Sequence, residues 1–405
     1  MIDLTPSDAQ EEIRATARRF AEREMAPLVR AASQSDGHVA LDDFRDLVRS
    51  ANGFGLHAML IPEEYGGAGL GCVDNVIVHE ELGAVDVGLG GALNLIMTIP
   101  NMIAVGGTPQ QRNHWLRMLV ESDVHILAGA LSEPNVAGSE LFCPIDDPTL
   151  GLQTRARRDG DHYVINGAKA GWVSNGGAAD TYLVFARTST DAPAMMTTSA
   201  FLVPADTPGL QIGARSELLG MRSSWHAEVL LEDVCVPVEN RLGDEGRGLE
   251  LMGAASAGMA VSLAAGFVGL ARTALEASVA WSNERQSWGQ PIRRHQAVSL
   301  KLAEMAVDLQ TSRLLVWDAA LAVDNDDAAA AWKVPAAKTH AVDVAIRNAE
   351  RAVQIHGATG VSRGAGPEQW LRDAWTGWSC DFTRDVLRLQ IADTLQPQLS
   401  VPAAT

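Results

Sequence analysis

The sequence predicts a mainly helical α+β fold: an N-terminal helical domain, a small antiparallel β domain in the middle, and a C-terminal four-helix bundle. Three observations carry this. Apolar residues recur at helical spacing over roughly the first 120 positions, short β-branched and aromatic runs follow, and long Ala-rich helical stretches return after Gly248. A chain of 405 residues also exceeds the roughly 250–300 residues at which single cores stop growing. The expected domains are therefore 1–122, 123–242 and 243–405.

In the first domain, Thr5 is expected as an N-cap with Pro6 at the first helical position, followed by Ile13, Ala17, Phe20 and Ala21 on one face. Helical periodicity recurs in DDFRDLVRSANGFG and from Val76 to Leu82, with IPEEYGGAGLG as the glycine-rich turn between them. The domain closes near QQRNHWLRMLVES.

In the second domain the runs HYVINGAKAGWVSNGG, ADTYLVFART, SAFLVPAD and AEVLLEDVCVPVENRLG are separated by Asn-Gly, Gly-Gly, Pro-Ala-Asp and Pro-Gly punctuation. PIDDPTLG at 144–151 reads as an inserted surface loop. In the third domain the helical stretches run from LELMGAAS through NERQSW, from HQAVSLKLAEMA to ALAV, and from AAWKVPAAKTHAV through QIHG onward.

Composition narrows the function. Apolar residues at 47% and charged residues at 20% are globular values, so the chain should fold throughout. A net charge of −18 and a pI near 4.9 would repel a polyanion, which excludes nucleic acid as a partner but leaves room for a local basic pocket. The N-terminus MIDLTPSDAQEEIR has no basic segment followed by an apolar one, and the run from Met252 to Ala271 is broken by Gly and Ser, so neither a signal peptide nor a membrane span is expected. Cys72, Cys143, Cys235 and Cys380 are scattered without a CxxC pair; no metal site is expected, and a reducing cytoplasm fits.

No Ser/His/Asp elbow, HExxH or Walker A pattern is present. ALSEPNVAGSE (130–140) concentrates small hydroxyl and glycine residues after a strand-like run. Such a loop can set backbone N–H groups and serine hydroxyls against a flat polar edge, with Trp172 and Ser174 of GWVSN covering an aromatic face; it can equally be a β-turn cluster beside a core tryptophan. NERQSWGQPIRRHQ sets Arg285, Arg294 and His295 beside Trp288 and Gly289, cations that suit a pyrophosphate or simply a solvated helix end. QIHGATG ends a helix in glycines, a C-cap whose free N–H groups can also receive a phosphate.

Taken in order, these segments resemble the acyl-CoA dehydrogenase family over nearly the whole chain. IPEEYGGAGL looks like the family's first-domain turn, GGTPQQRNHWL like G-T-x-x-Q, and LSEPNVAGSE like the flavin loop T-E-P-x-A-G-S-D. VINGAKAGWVSN is similar to I-N-G-x-K-x-W-I-T-N, while LGMRSSW and DVCVPVENRLGDEGRG are similar to the segments that close the β domain. ERQSWGQPI matches E-R-x-x-F-G-x-P-I, and QIHGATG with WLRDA matches the Q-I-x-G-G-x-G and Y-R-D-A region.

The resemblance implies FAD held at a subunit interface and a homo-oligomer, dimer or tetramer. It implies that Leu131, Ser132, Gly138, Ser139, Trp172 and Ser174 line the isoalloxazine, with Ser174 near N5. Arg285, Ser287, Trp288, Ile292, His295, Gln296, Gln354, Gly357 and Thr383 would hold the ribityl, pyrophosphate and adenine portions, several from a neighbouring subunit. The implied chemistry removes a proton from Cα of an acyl-CoA or acyl-carrier-protein thioester and passes hydride from Cβ to the flavin, with an electron-transfer flavoprotein or similar acceptor.

The family's catalytic Glu in Y-E-G-T falls on Asp381, one methylene shorter. The positions where relatives carry an Arg, or an alternative Glu base, fall on Ala260 and Met259. The flavin loop has an extra residue between Pro134 and Gly138 and Glu140 in place of Asp, and Ala358 replaces a glycine. A branched, cyclic or bulky acyl group is therefore expected. The alternatives are a flavin oxidase or monooxygenase of the same fold, similar to nitroalkane oxidases or N-hydroxylating relatives, and a subunit of a hetero-oligomeric dehydrogenase.

Overall fold

The computed structural model describes residues 5–136 and 147–395. The chain opens with helix α1 (Asp8–Phe20), which passes through a π-helical turn (Ala21–Met25) into α2 (Ala26–Ser33). The cap is Ser7 rather than Thr5. Ser7 Oγ accepts from Gln10 N while the Gln10 side chain accepts from Ser7 N, a reciprocal pair that needs Gln or Glu three residues on, and Thr5 has Asp8 there. Helices α3 (Leu41–Gly53), α4 (Cys72–Val85), α5 (Val87–Gly106) and α6 (Pro109–Glu121) complete this part.

The middle part is built from β1 (Leu127–Ala130), β2 (Arg155–Asp159), β3 (His162–Ser174), β4 (Thr181–Arg187), the short helix α7 (Ala194–Thr197), β5 (Thr198–Pro204), β6 (Leu210–Arg215), β7 (His226–Pro237) and β8 (Arg241–Leu242). The strand order is β6-β7-β3-β2-β4-β5-β8, with β1 against β4. Two details depart from the sequence reading. The sheet is mixed, because β1 and β2 both run parallel to β4. Asn166-Gly167 does not separate strands; it lies inside β3 at a register shift, where Gly167 takes φ +151° and a Cβ would meet the Thr154 side chain at 2.6 Å.

The C-terminal part contains α8 (Gly248–Ala255), α9 (Ala257–Glu284), a two-stranded hairpin β9 (Gln286–Ser287) and β10 (Gln290–Pro291), α10 (Gln296–Asp324), α11 (Ala330–His356), α12 (Pro367–Thr376) and α13 (Arg384–Leu395). The stretch expected as one helix through NERQSW is broken at Ser256 and ends at Glu284. Its QSW residues turn into the hairpin because Trp288 (φ +51°) and Gly289 (φ +72°) are both left-handed. Two helices, Val87–Gly106 and Ala257–Glu284, are long and apolar enough to cross a membrane by length and composition, and both are mostly buried inside the protein.

Helix α4 ties the helical parts together. It meets α9 nearly backbone to backbone, since a Cβ on Gly83 would sit 2.2 Å from Gly266 O. Its Glu80 and Glu81 gather three arginines from three helices: Arg18 on α1, Arg272 on α9 and Arg313 on α10. The α4 N-terminus receives the Asp324 carboxylate from the end of α10, at 2.6 Å from Cys72 N and 2.9 Å from Val73 N.

Candidate active site

The loop after β1 is pinned from beneath. The Glu133 carboxylate accepts from Gln153 N (2.6 Å), Thr154 N (2.9 Å) and the Lys169 ammonium (2.8 Å), while Lys169 Nζ also donates to Leu131 O at 3.1 Å. Both side chains are buried. Burial alone would raise the Glu133 carboxyl, but Lys169 and the two backbone donors hold it below its usual range. Burial brings the Lys169 ammonium down to about 8, with Glu133 opposing. Ala170 N donates to Ser132 O at 2.9 Å. Leu131 and Ser132 are thus fixed along β3, the strand that carries Trp172 and Ser174.

Trp172 is 55% exposed although it lies within an extended strand. At the end of β3, Asn175 takes φ +63° and donates through Nδ2 to Ala92 O (3.0 Å) on α5 and Leu127 O (2.9 Å) on β1. This locks the turn behind Ser174. Ser174 pairs across the ladder with His226 of β7, and its hydroxyl lies 3.1 Å from His226 Nε2. Gly138 and Ser139 lie outside the described residues.

Asp381 lies in the turn between α12 and α13, with φ +43° at Asp381 and +72° at Phe382. The buried Lys338 ammonium of α11 donates to Phe382 O at 3.0 Å and to Cys380 O, one bond on each side of Asp381. The Asp381 side chain is open to solvent, yet protein crowds it closely enough that burial raises its carboxyl above the usual value; Lys338 draws it part of the way back. Phe382 packs on the same apolar cluster as Leu131, and Cys380 Sγ is 3.8 Å from Met221 Sδ. The candidate base and the loop after β1 therefore share one core. Ala260 and Met259 are half-buried on α9 and bring no carboxylate.

A second network braces this turn. Asp373 of α12 accepts from Met221 N at 2.6 Å, and Asp86, the N-cap of α5, accepts from Ser223 Oγ at 2.6 Å and Leu89 N at 2.8 Å. Both carboxylates are buried. Burial first, and the neighbouring Asp86 second, push Asp373 up to about 7.

The remaining predicted residues sit on another core. Arg285 caps α9, Ser287 and Trp288 form the hairpin, Ile292 donates its N–H to Arg285 O at 2.8 Å, and His295 precedes Gln296 at the start of α10. Ile292 packs with Ala274, Met305, Ala352 and Ile355, which draws the end of α11 alongside. There Gln354 is exposed and Gly357 closes α11 at φ +61°. Thr383 stands before α13, its carbonyl accepting from Leu387 N at 3.1 Å. Among the described residues Arg285, Arg293 and Arg294 form no ion pair, although twenty-two such contacts occur elsewhere. Trp288 is 94% exposed, 6.0 Å from the His295 ring.

The residues present fit FAD. Unpaired guanidiniums suit a pyrophosphate, and an exposed tryptophan beside an ordered serine hydroxyl suits the face and edge of a flavin. Sequence reading missed Lys338, Lys169, Glu133, His226 and Asp373. Lys169 stood inside a recognised motif as a lone cation among apolar residues; His226 gave no signal without the strand register.

The chain also matches known proteins along most of its length. Residues 7–123, 128–234 and 246–396 match the acyl-CoA dehydrogenase N-terminal, middle and C-terminal domain families. The chain is 36% identical over 359 residues to cyclohex-1-ene-1-carbonyl-CoA dehydrogenase of Geobacter metallireducens, covering 88% of this chain and 90% of that protein. It is 33% identical over 394 residues to the mitochondrial short-chain specific acyl-CoA dehydrogenase of Mus musculus, covering 96% and 90%. The structure of butyryl-CoA dehydrogenase from Megasphaera elsdenii superposes with a TM-score of 0.89 at 30% identity, covering 97% of this chain and all of that one.

Proposed function

The chain belongs to the acyl-CoA dehydrogenase family, FAD-dependent oxidoreductases acting on the CH–CH bond of acyl-CoA, and on that premise we propose that it introduces a 2,3-double bond into a bulky acyl thioester with Asp381 as base. The observation that carries this is the Lys338 clamp on Asp381. An aspartate has one methylene less than a glutamate, so its reach depends on where the backbone stands, and the backbone here is held on both sides.

FAD supplies the hydride acceptor when bound. The chain's own residues do the rest. Leu131, Ser132, Trp172 and Ser174 present one face and one edge to the flavin, with Ser174 at N5. Arg285, Ser287, Trp288, Ile292, His295, Gln296, Gln354, Gly357 and Thr383 serve the ribityl, pyrophosphate and adenine portions. Asp381 takes the Cα proton; its raised pKa brings the carboxyl nearer to the acidity of an activated carbon, which a general base needs. A short base and an alanine at 260 leave room for a branched or cyclic acyl chain, and a cyclic thioester is what the Geobacter relative is named for. CoA is the carrier we propose, with an electron-transfer flavoprotein as acceptor and a reducing cytoplasm as setting, the last supported by the free thiols of Cys72, Cys235 and Cys380.

A homo-oligomer is supported by α10. Leu300, Val307, Leu314 and Leu321 recur every seven residues and are all exposed, a stripe suited to a second helix of the same kind. The hairpin and the Asp381 turn rest on separate cores, and the cofactor they serve is proposed to be shared between copies.

The test is anaerobic titration of the FAD-loaded protein with branched and cyclic acyl-CoA thioesters. Loss of flavin absorbance in the parent and not in Asp381→Asn is the expected result. Bleaching that is equal in both proteins removes Asp381 as base, and fast reoxidation by air with peroxide formation would make the protein an oxidase.

A further inference from the structure

The hydroxyl of Ser174 has one proton, and the structure dictates where it goes. Ser224 Oγ donates its own proton to Met221 O at 2.7 Å. Towards His226 Nδ1, 3.3 Å away, Ser224 Oγ is therefore an acceptor, and Nδ1 must carry the hydrogen. Bonding of the ring to the Ser224 backbone acts in the same sense, since it favours a protonated nitrogen. With Nδ1 protonated in a neutral ring, Nε2 is a bare acceptor. It faces Ser174 Oγ at 3.1 Å, so the Ser174 proton points into the imidazole.

The ring is held neutral. Burial first, and the Arg215 guanidinium second, bring His226 down to about 4. Arg215 is itself fixed, donating to Ser224 O at 3.1 Å and stacking on the Trp225 ring at 4.1 Å. No second proton is therefore available at neutral pH to reverse the chain of bonds.

We propose that His226 is a positioning residue that turns the Ser174 hydroxyl into a pure acceptor, so that Ser174 favours the reduced flavin, whose N5 bears a hydrogen, over the oxidised one, whose N5 does not. The proposal rests on the placement of Ser174 at N5 given above. Met221, which accepts from Ser224, also contacts Cys380 beside Asp381. The loop that orients the flavin-side hydroxyl is thus the loop that braces the base.

Two measurements on the full-length FAD-loaded protein test it. ¹⁵N NMR of the unaltered protein is expected to show His226 as the neutral Nδ1–H tautomer. Midpoint potentials are expected to show the reduced form disfavoured roughly tenfold in His226→Phe, about 30 mV more negative for a two-electron couple. His226→Gln, which keeps an acceptor near the Nε2 position, is expected to stay at the parent value. In a Ser174→Ala background His226→Phe should change nothing. An Nε2–H tautomer overturns the proposal. So does a potential that moves with Ser174→Ala but not with His226→Phe, and in that case Ser174 still stands at N5. A potential indifferent to both residues removes Ser174 from N5 and takes this inference with it. Should His226→Phe fail to hold FAD, the tautomer and His226→Gln decide.

Discussion

Lys338 donates hydrogen bonds to the carbonyls of Cys380 and Phe382 and so fixes the backbone on either side of Asp381, whose carboxylate in turn favours the Lys338 ammonium. A lysine used this way is both clamp and counter-charge. Replacing it separates the two roles.

Lys338→Met keeps the unbranched stem as far as Cε and removes both bonds. Displacing a base by about 1 Å costs on the order of 10²-fold, so kcat/KM is expected to fall by about that much with FAD content unchanged. The ammonium lowers the Asp381 pKa against burial, so its loss lets the pKa rise further. The acidic limb of the kcat/KM–pH profile should therefore move to higher pH in the variant, which a pH–rate series reads directly.

Acid stability depends on Glu81. Its carboxylate accepts from Arg18 Nε at 3.0 Å and Nη2 at 3.1 Å, and from Arg272 Nη1 and Nη2 at 2.8 Å each. Burial pushes its pKa up, but the two guanidiniums prevail and bring it down to about 2 from an ordinary 4.5. A depressed carboxylate stabilises the fold at every pH above the unfolded value and loses that contribution as pH falls from 4.5 through 2. Glu81→Gln leaves the mostly buried Arg272 to Glu80 at 3.4 Å and takes the carboxylate from the half-exposed Arg18, and is expected to cost roughly 3 kcal/mol at pH 7. Denaturant midpoints of parent and variant should converge as the pH approaches 2.

Asp373 has the opposite sign. Burial and Asp86 raise it to about 7, so the folded protein binds a proton that the unfolded chain, near 3.8, releases earlier. The contribution of that proton is complete below the unfolded value and is lost as pH rises through 7. Asp373→Asn keeps the oxygen that accepts from Met221 N at 2.6 Å and removes the titration. The melting temperature of the variant relative to the parent should be higher at pH 8 than at pH 5, as thermal denaturation at the two pH values will show.

Much of the fold was legible because helices and strands announce themselves by period and punctuation. The break after Glu284 was not: Trp288 takes a left-handed conformation that its side chain does not advertise, and the helical pattern therefore read on through QSW. The mixed sheet was hidden for a different reason, since β1 pairs with β4 across some fifty residues, as in Leu127 with Thr181. At the site, Asp381 was found by counting along a motif. Lys338 was not, because its partners are backbone carbonyls 42 and 44 residues away and carbonyls leave no mark on a sequence.

The stripe on α10 gives the last expectation. Leu300 and Val307 are each more than 60% exposed, and Leu314 and Leu321 continue the seven-residue spacing, while the buried face of the same helix is formed by Met305, Leu309, Ser312, Val316 and Ala319. One helix thus carries two apolar faces, and only one is satisfied among the described residues. Helices that are apolar on both sides are used between cores, and a heptad spacing fits a second helix lying alongside. Val307→Glu puts a charge in the middle of the exposed stripe without touching the buried face. The variant is expected to keep its helical content and to sediment as a smaller species. If FAD is shared between copies as proposed, the variant should also lose most of its flavin, because the free Arg285 of one copy no longer reaches the cofactor of the next. Sedimentation velocity with detection at the flavin absorbance reads both outcomes in one run.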